Sequence, residues 1–171
     1  GIIATLSRTH AMLNENAQRK EPMTMEDYYH SEMLFDPLRL YDCCQITDGA
    51  AAIILTTEIK ARNLKNSGVS VLSAETDSLD EVNPYFFTQA DNPLVTAAKK
   101  TGKRALEKAG LTHKDIDILQ IYDCFTIAVI LQLEDLGFCE KGEAIDFIGN
   151  GEIFSLDGEL PLNTHGGLLS Q

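Results

Sequence analysis

Along the chain, apolar positions recur first at helical spacing. Ile2, Ile3, Leu6, Ala11, Met12 and Leu13 predict a helix over residues 1 to about 13, closing at Asn14-Glu15-Asn16. Thr24-Met25-Glu26-Asp27 places a hydroxyl at a cap position with acids in the first turn, so a second, short helix is expected there. Pro37 then interrupts the chain. Asp48-Gly49 marks a turn, and 50–55 is a short apolar run of strand type. Thr57 caps a helix to about Lys65, and Gly68 separates it from a strand at 69–72. Residues 77–93 are polar, aromatic and proline-containing, a loop long enough to be functional or mobile. Asn92-Pro93 opens a helix that stops at Gly110. A buried strand follows at 116–121, then an interior helix at 125–136, apolar on almost every side, and a short helix at 142–148. Strands alternating with helices predict an α/β protein.

Composition narrows the partners. The 171 residues are 44% hydrophobic and 23% charged, enough for a real core. A net charge of -12 argues against nucleic acid or an anionic membrane surface as the main partner. No apolar stretch approaches the roughly 20 residues of a membrane span, and no signal-peptide pattern is visible. The four cysteines, Cys43, Cys44, Cys124 and Cys139, form no C-x-x-C pair, and the histidines lack ligand spacing, so no metal site is expected. Reduced, buried thiols in a cytoplasmic enzyme are the plain expectation.

Chemistry concentrates at Tyr122-Asp123-Cys124-Phe125, between the buried strand and the interior helix. Strand ends feeding helix N-termini are where α/β proteins place ligands, and a phenol there can donate to a carbonyl or enolate oxygen. On the pattern alone, Tyr122 equally fits a core tyrosine and Asp123 an ordinary helix cap. The helix at 93–109 carries Lys99, Lys100, Lys103, Arg104 and Lys108, a local inversion of sign in an acidic chain; a solvated face is the bland alternative. Gly102 inside that helix costs about 1 kcal/mol against alanine, which points to a close neighbour.

Five segments occur in one order: Asp48-Gly49-Ala50-Ala51-Ala52, the Ala105-to-Gly110 helix end, Tyr122-to-Phe125, Asn163-Thr164-His165-Gly166-Gly167 and, upstream, Asp36-Pro37-Leu38-Arg39-Leu40. Together with His10-Ala11-Met12-Leu13-Asn14, this series resembles the thiolase superfamily, most closely its lipid-transfer or sterol-carrier-type branch. The resemblance implies a layered α/β/α/β/α fold of two similar halves, here incomplete. Residues 1–66 would end the first half and 67–171 form most of the second, truncated after the Asn-x-x-Gly-Gly turn. It also implies a dimer acting on acyl-CoA thioesters, with CoA as part of the substrate, no covalently bound cofactor, and a small acyl-CoA-binding protein as a further partner.

By the same resemblance Tyr122, Asn163 and His165 are catalytic candidates, while Gly166, Gly167, Lys99, Lys100 and Lys103 are candidates for binding substrate or CoA. The nucleophilic cysteine of thiolases lies upstream of this chain, and Cys124 is expected to be a buried structural thiol. A Gly-His-Pro histidine would follow the turn; His165 lies within it. Tyr122 departs from the histidine or asparagine common there. A phenol keeps the hydrogen-bond donor but titrates near 10 rather than near 6.5, which resembles thiolase-like aldolases of β-hydroxyacyl-CoA. Acyl transfer, aldol cleavage and non-catalytic acyl-CoA binding all remain open on the sequence, and the chain by itself is expected to be inactive.

Overall fold

A computed structural model describes residues 1–66, 68–77 and 92–170. Seven α-helices and one hairpin can be followed among them: α1 (Ile2–Ala11), α2 (Met25–His30), β1 (Met33–Phe35), β2 (Leu38–Arg39), α3 (Glu58–Ala61), α4 (Ala98–Ala109), α5 (Thr126–Leu136), α6 (Ala144–Ile148) and α7 (Gly167–Ser170). Short 3-10 turns occupy Leu40–Asp42, His113–Asp115 and Glu152–Phe154.

Local signals set several boundaries. Thr24 and Asp27 cap α2 reciprocally: the Thr24 hydroxyl accepts from the Asp27 amide at 3.1 Å, and the Thr24 amide donates to the Asp27 carboxylate at 2.8 Å. Thr57 caps α3, although that helix stops at Ala61 rather than near Lys65. At the end of α4, Gly110 adopts a left-handed conformation and the Leu111 amide reaches back to the Leu106 carbonyl, 3.0 Å away. The start of α4 differs from expectation. Asn92 does open a turn, accepting the Leu94 amide at 3.1 Å, but the helix begins only at Ala98. The intervening Thr96 amide is drawn instead to the Asp135 carboxylate on α5, at 2.6 Å. Gly102 faces α5, where a Cβ would sit 2.6 Å from the Leu136 side chain, so the close neighbour is a helix.

The predicted strands at 50–55, 69–72 and 116–121 form no ladder. Among the described residues the one sheet is the β1–β2 hairpin, in which Met33 pairs with Arg39. An extended segment becomes a strand only when another backbone takes its N–H and C=O groups. Here Ile53 and Val69 stand 83% and 98% exposed, with no partner strand described beside them. Segment 116–121 is half-way to a strand. The Leu119 amide donates to Pro161 O, and the Asn163 amide donates to Leu119 O, each at 2.9 Å, as a single parallel bridge. The expected loop at 77–93 lies, from 78 to 91, outside the described residues.

The core gathers where these pieces meet. Val129 and Leu133 of α5 pack with Ile3 of α1, Ile148 of α6, Phe154, Leu119, Leu162 and Leu169 of α7. Helix α5 is buried through Ala128, Val129, Leu131 and Leu133, but Ile127 remains exposed, so its interior placement is one-sided.

A buried carboxylate ties the hairpin side to this core. Asp42 accepts from the Tyr28 hydroxyl at 2.9 Å, the Arg39 amide at 2.8 Å and the Thr126 hydroxyl at 2.6 Å. Burial and the facing carboxylate raise the Tyr28 phenol from 10.0 to about 12. Folding therefore favours the protonated phenol. That stability is complete below pH 10 and is lost as pH rises through about 12. Asp42→Ala is expected to destabilise the protein by about 3 kcal/mol, because three donors lose an ionised acceptor. Asp42→Asn should bring the Tyr28 titration part of the way back. Denaturant unfolding and ultraviolet titration of the phenol check the two outcomes.

Candidate active site

The bridge between Leu119 and Leu162 sets Tyr122 beside the Asn163-to-Gly167 turn, although the two are some forty residues apart in sequence. An open cleft of about 400 Å³ lies between them, lined by Gln120, Ile121, Tyr122, Asp123, Asn163, His165 and Leu168. Tyr122 is 54% exposed on this cleft, so it is not a core tyrosine. Its backbone carbonyl is held by Gln132 of α5 at 2.5 Å. Its hydroxyl faces the Cys124 thiol. That neighbour, followed by partial burial, pushes the phenol above its ordinary value. A phenol in this setting stays protonated near neutrality and acts as a donor.

Four ties hold the turn. Asn163, with φ of 45°, lays its side-chain amide along the backbone of Ile121: Oδ1 accepts the Ile121 amide at 2.9 Å, and Nδ2 donates to the Ile121 carbonyl at 3.0 Å. The amide thereby extends the ladder that Leu119 and Leu162 begin. In this arrangement Asn163 holds the turn against Ile121 while also lining the cleft. Gln120 donates to the Thr164 hydroxyl at 3.1 Å, and Asn14, just beyond α1, donates to the His165 carbonyl at 3.0 Å.

The fourth tie comes from Asp123, which is 2% exposed. Its carboxylate accepts the amides of Leu168, at 2.8 Å, and Leu169, at 3.3 Å. It thus caps α7, whereas α5, with Phe125 at its N-cap, has no side-chain cap. Burial raises the Asp123 carboxyl, with the Leu168 and Leu169 amides opposing that rise. The sequence hid this role because the capped helix lies over forty residues away.

The two glycines of the turn are explained by packing. Gly166 (φ 105°) lies against α1, where a Cβ would come 2.6 Å from the Ala11 Cβ. A Cβ on Gly167 would lie 2.7 Å from Asp123 Cγ and overlap its Oδ2. Their bare faces meet protein, and neither is among the residues that line the cleft. His165 is exposed and does line it. Lys99, Lys100 and Lys103 lie on α4 and are not among the residues that line the cleft. Neighbouring Arg104 reaches Glu75 at 2.9 Å and Asp77 at 3.1 Å, and Lys108 also pairs with Glu75, so that part of the basic face is neutralised. His10, buried in α1 against the backbone of Leu162 and Asn163, supports the turn from behind. Burial lowers its pKa, so the ring is neutral. Nothing in the spacing around His10 announced that position.

Residues 80–171, more than half of the chain, match the model of the thiolase C-terminal domain-like family. The chain belongs to that family. A 17-hydroxy-3-oxo-4-pregnene-20-carboxyl-CoA lyase of Mycobacterium tuberculosis is 39% identical over 173 residues, covering 100% of this chain and 45% of the relative. A steroid side-chain-cleaving aldolase of Thermomonospora curvata is 35% identical, over 100% of this chain and 44% of its own length. An acetyl-CoA acetyltransferase of Methanothermobacter thermautotrophicus is 36% identical, over 98% and 43%. Among solved structures, the Ltp2-ChsH2(DUF35) aldolase superposes with a TM-score of 0.88 at 34% identity, over 99% of this chain and 45% of that one. The fold is thiolase-like, and the chain spans less than half the length of these relatives. No helix among the described residues is long and apolar enough to cross a membrane.

Proposed function

We propose that the intact protein is a thiolase-like aldolase that cleaves the side chain of a β-hydroxyacyl-CoA thioester, with a steroid-derived acyl group as the substrate class. The observation that carries this reading is Tyr122, a protonated phenol exposed on the cleft wall where acyl-transferring members of the superfamily commonly carry histidine or asparagine. Two relatives named for this chemistry, at 39% and 35% identity, support it.

In the reaction, the β-hydroxyl loses its proton, the Cα–Cβ bond breaks with its electron pair moving into the thioester, and a ketone departs. The enolate of the shortened acyl-CoA then takes up a proton. Tyr122 donates a hydrogen bond to the oxygen that gains charge in the enolate. His165, in the same cleft, accepts the hydroxyl proton. Asn163 and Asp123 keep the turn in register with Tyr122, and no covalent cofactor takes part. The reading includes a homodimer, each chain of which divides into two thiolase-like halves between residues 66 and 67. It also includes a small acyl-CoA-binding partner protein; the solved Ltp2-ChsH2(DUF35) aldolase, whose name includes a second component, supports a partner.

The test is a product assay. The intact protein with its partner is expected to release ketone from a β-hydroxyacyl-CoA without consuming free CoA. Cleavage of a β-ketoacyl-CoA that requires free CoA would instead identify a thiolase, and binding without turnover would identify a carrier.

The exposed lysines of α4 are assigned to the CoA phosphates. Reversing Lys99, Lys100 and Lys103 to glutamate is expected to raise the CoA dissociation constant by about tenfold or more, since each charge-assisted contact contributes about 1.5–3 kcal/mol. An unchanged constant in equilibrium binding removes the assignment.

A further inference from the structure

Cys43 and Phe125 form an antiparallel bridge, which opposes their neighbours as well. Asp42 faces Thr126, and Cys44 faces Cys124. Two hydrogen bonds agree with this register: the Thr126 hydroxyl donates to Asp42 at 2.6 Å, and the Cys44 amide donates to the Cys124 carbonyl at 3.0 Å. Alternation along the backbone sends the side chains of Cys44 and Cys124 to one face and that of Cys43 to the other. Directly opposed residues of an antiparallel pair stand about 5.5 Å apart at Cα, within the span that a disulfide bridges. Both thiols are free, Cys124 buried and Cys44 half-buried. The Tyr122 hydroxyl lies against the Cys124 thiol, at the wall of the cleft.

We propose that Cys44 and Cys124 are a redox-active dithiol beside Tyr122, which a hydroperoxide closes to a disulfide and a dithiol reductant reopens. Cys44, the more accessible sulfur, attacks first; burial pushes the Cys124 thiol up and leaves it as the resolving group. The Cys44 thiolate attacks one peroxide oxygen, the O–O bond breaks, sulfur is oxidised to a sulfenic acid, and the other oxygen leaves as water. Cys124 sulfur then attacks the Cys44 sulfur. The S–S bond forms, the S–O bond breaks, and the departing hydroxide takes the Cys124 proton to become a second water. Two thiols lose two electrons and two protons, and one hydrogen peroxide is reduced to two waters. Closure removes the S–H group that the phenol contacts, so the state of the dithiol is read at the cleft.

The experiment uses the intact protein, treated with one equivalent of hydrogen peroxide, alkylated, digested and analysed by mass spectrometry. The expected result is a peptide pair joined through Cys44 and Cys124, lighter by two hydrogens and lost on reduction with dithiothreitol. It should be absent in Cys44→Ser and retained in Cys43→Ser. Ultraviolet titration of Tyr122, with Tyr122→Phe as the blank, should move downward on oxidation, since the Cys124 thiolate no longer opposes phenolate formation. Full alkylation of both cysteines after peroxide, or a link through Cys43, overturns the pairing. A Cys44–Cys124 link that leaves the Tyr122 titration in place overturns its coupling to the cleft. Neither readout depends on turnover, so the result stands apart from the aldolase reading.

Discussion

Tyr122→Phe in the intact protein is expected to lower kcat for carbon–carbon cleavage by about 10²–10⁴-fold, with little change in KM. Only the hydroxyl is lost, and the ring is already 54% exposed, so little packing depends on it. The missing atom is the donor placed at the cleft wall, where charge grows on the thioester oxygen. Ground-state binding of acyl-CoA draws on other contacts, which is why the effect falls on kcat. The protonated phenol also sets the sign with pH: Cys124 and burial raise its pKa, so the donor persists through neutrality and is lost only on the alkaline side. Tyr122→His restores a donor of different acidity and should recover part of the rate with an altered pH profile. Steady-state kinetics on a β-hydroxyacyl-CoA decide the matter. Near-normal cleavage by the phenylalanine variant would remove Tyr122 from the mechanism and the aldolase reading with it.

Gly167→Ala is expected to cost about 3 kcal/mol or more, the largest effect of any single methyl group in the turn. Two terms combine. A left-handed residue with a Cβ is strained by about 1–2 kcal/mol, and φ at Gly167 is 58°. Overpacking of a rigid site adds about 1–3 kcal/mol, and the new methyl would press on the Asp123 carboxylate. That carboxylate cannot retreat without releasing the Leu168 and Leu169 amides. Gly110→Ala is the control: it also has a positive φ, of 69°, but opens onto empty space, so it bears the conformational strain alone. Denaturant unfolding of both variants separates the terms, and equal losses would show that the Asp123 contact carries no weight.

Parts of this architecture are plain in the residues because they depend on neighbours a few positions away. The Thr24–Asp27 box, the Gly110 stop and the interior face of α5 follow from hydrogen bonds and helical periodicity within one or two turns. The resemblance to thiolases, carried by short motifs in a fixed order, pointed to the right family, and the fold sets Tyr122 and the Asn163-to-Gly167 turn beside one cleft. What the resemblance did not show is how that turn is held: the Asn163 amide meets the backbone of Ile121, and the bare faces of Gly166 and Gly167 meet Ala11 and Asp123.

By itself, then, the sequence determined the cap of α2, the stop of α4 and which helix lies inside. Tertiary structure alone decided that Asp123 caps α7 rather than α5, that Asn163 continues the backbone ladder of Ile121, and that Cys44 lies opposite Cys124. It also decided that 50–55 and 69–72, apolar enough for strands, pair with no strand among the described residues. The division has one physical cause. A helix satisfies its backbone within its own segment, whereas a ladder, a distant cap or a cross-strand pair exists only once another part of the chain is brought alongside.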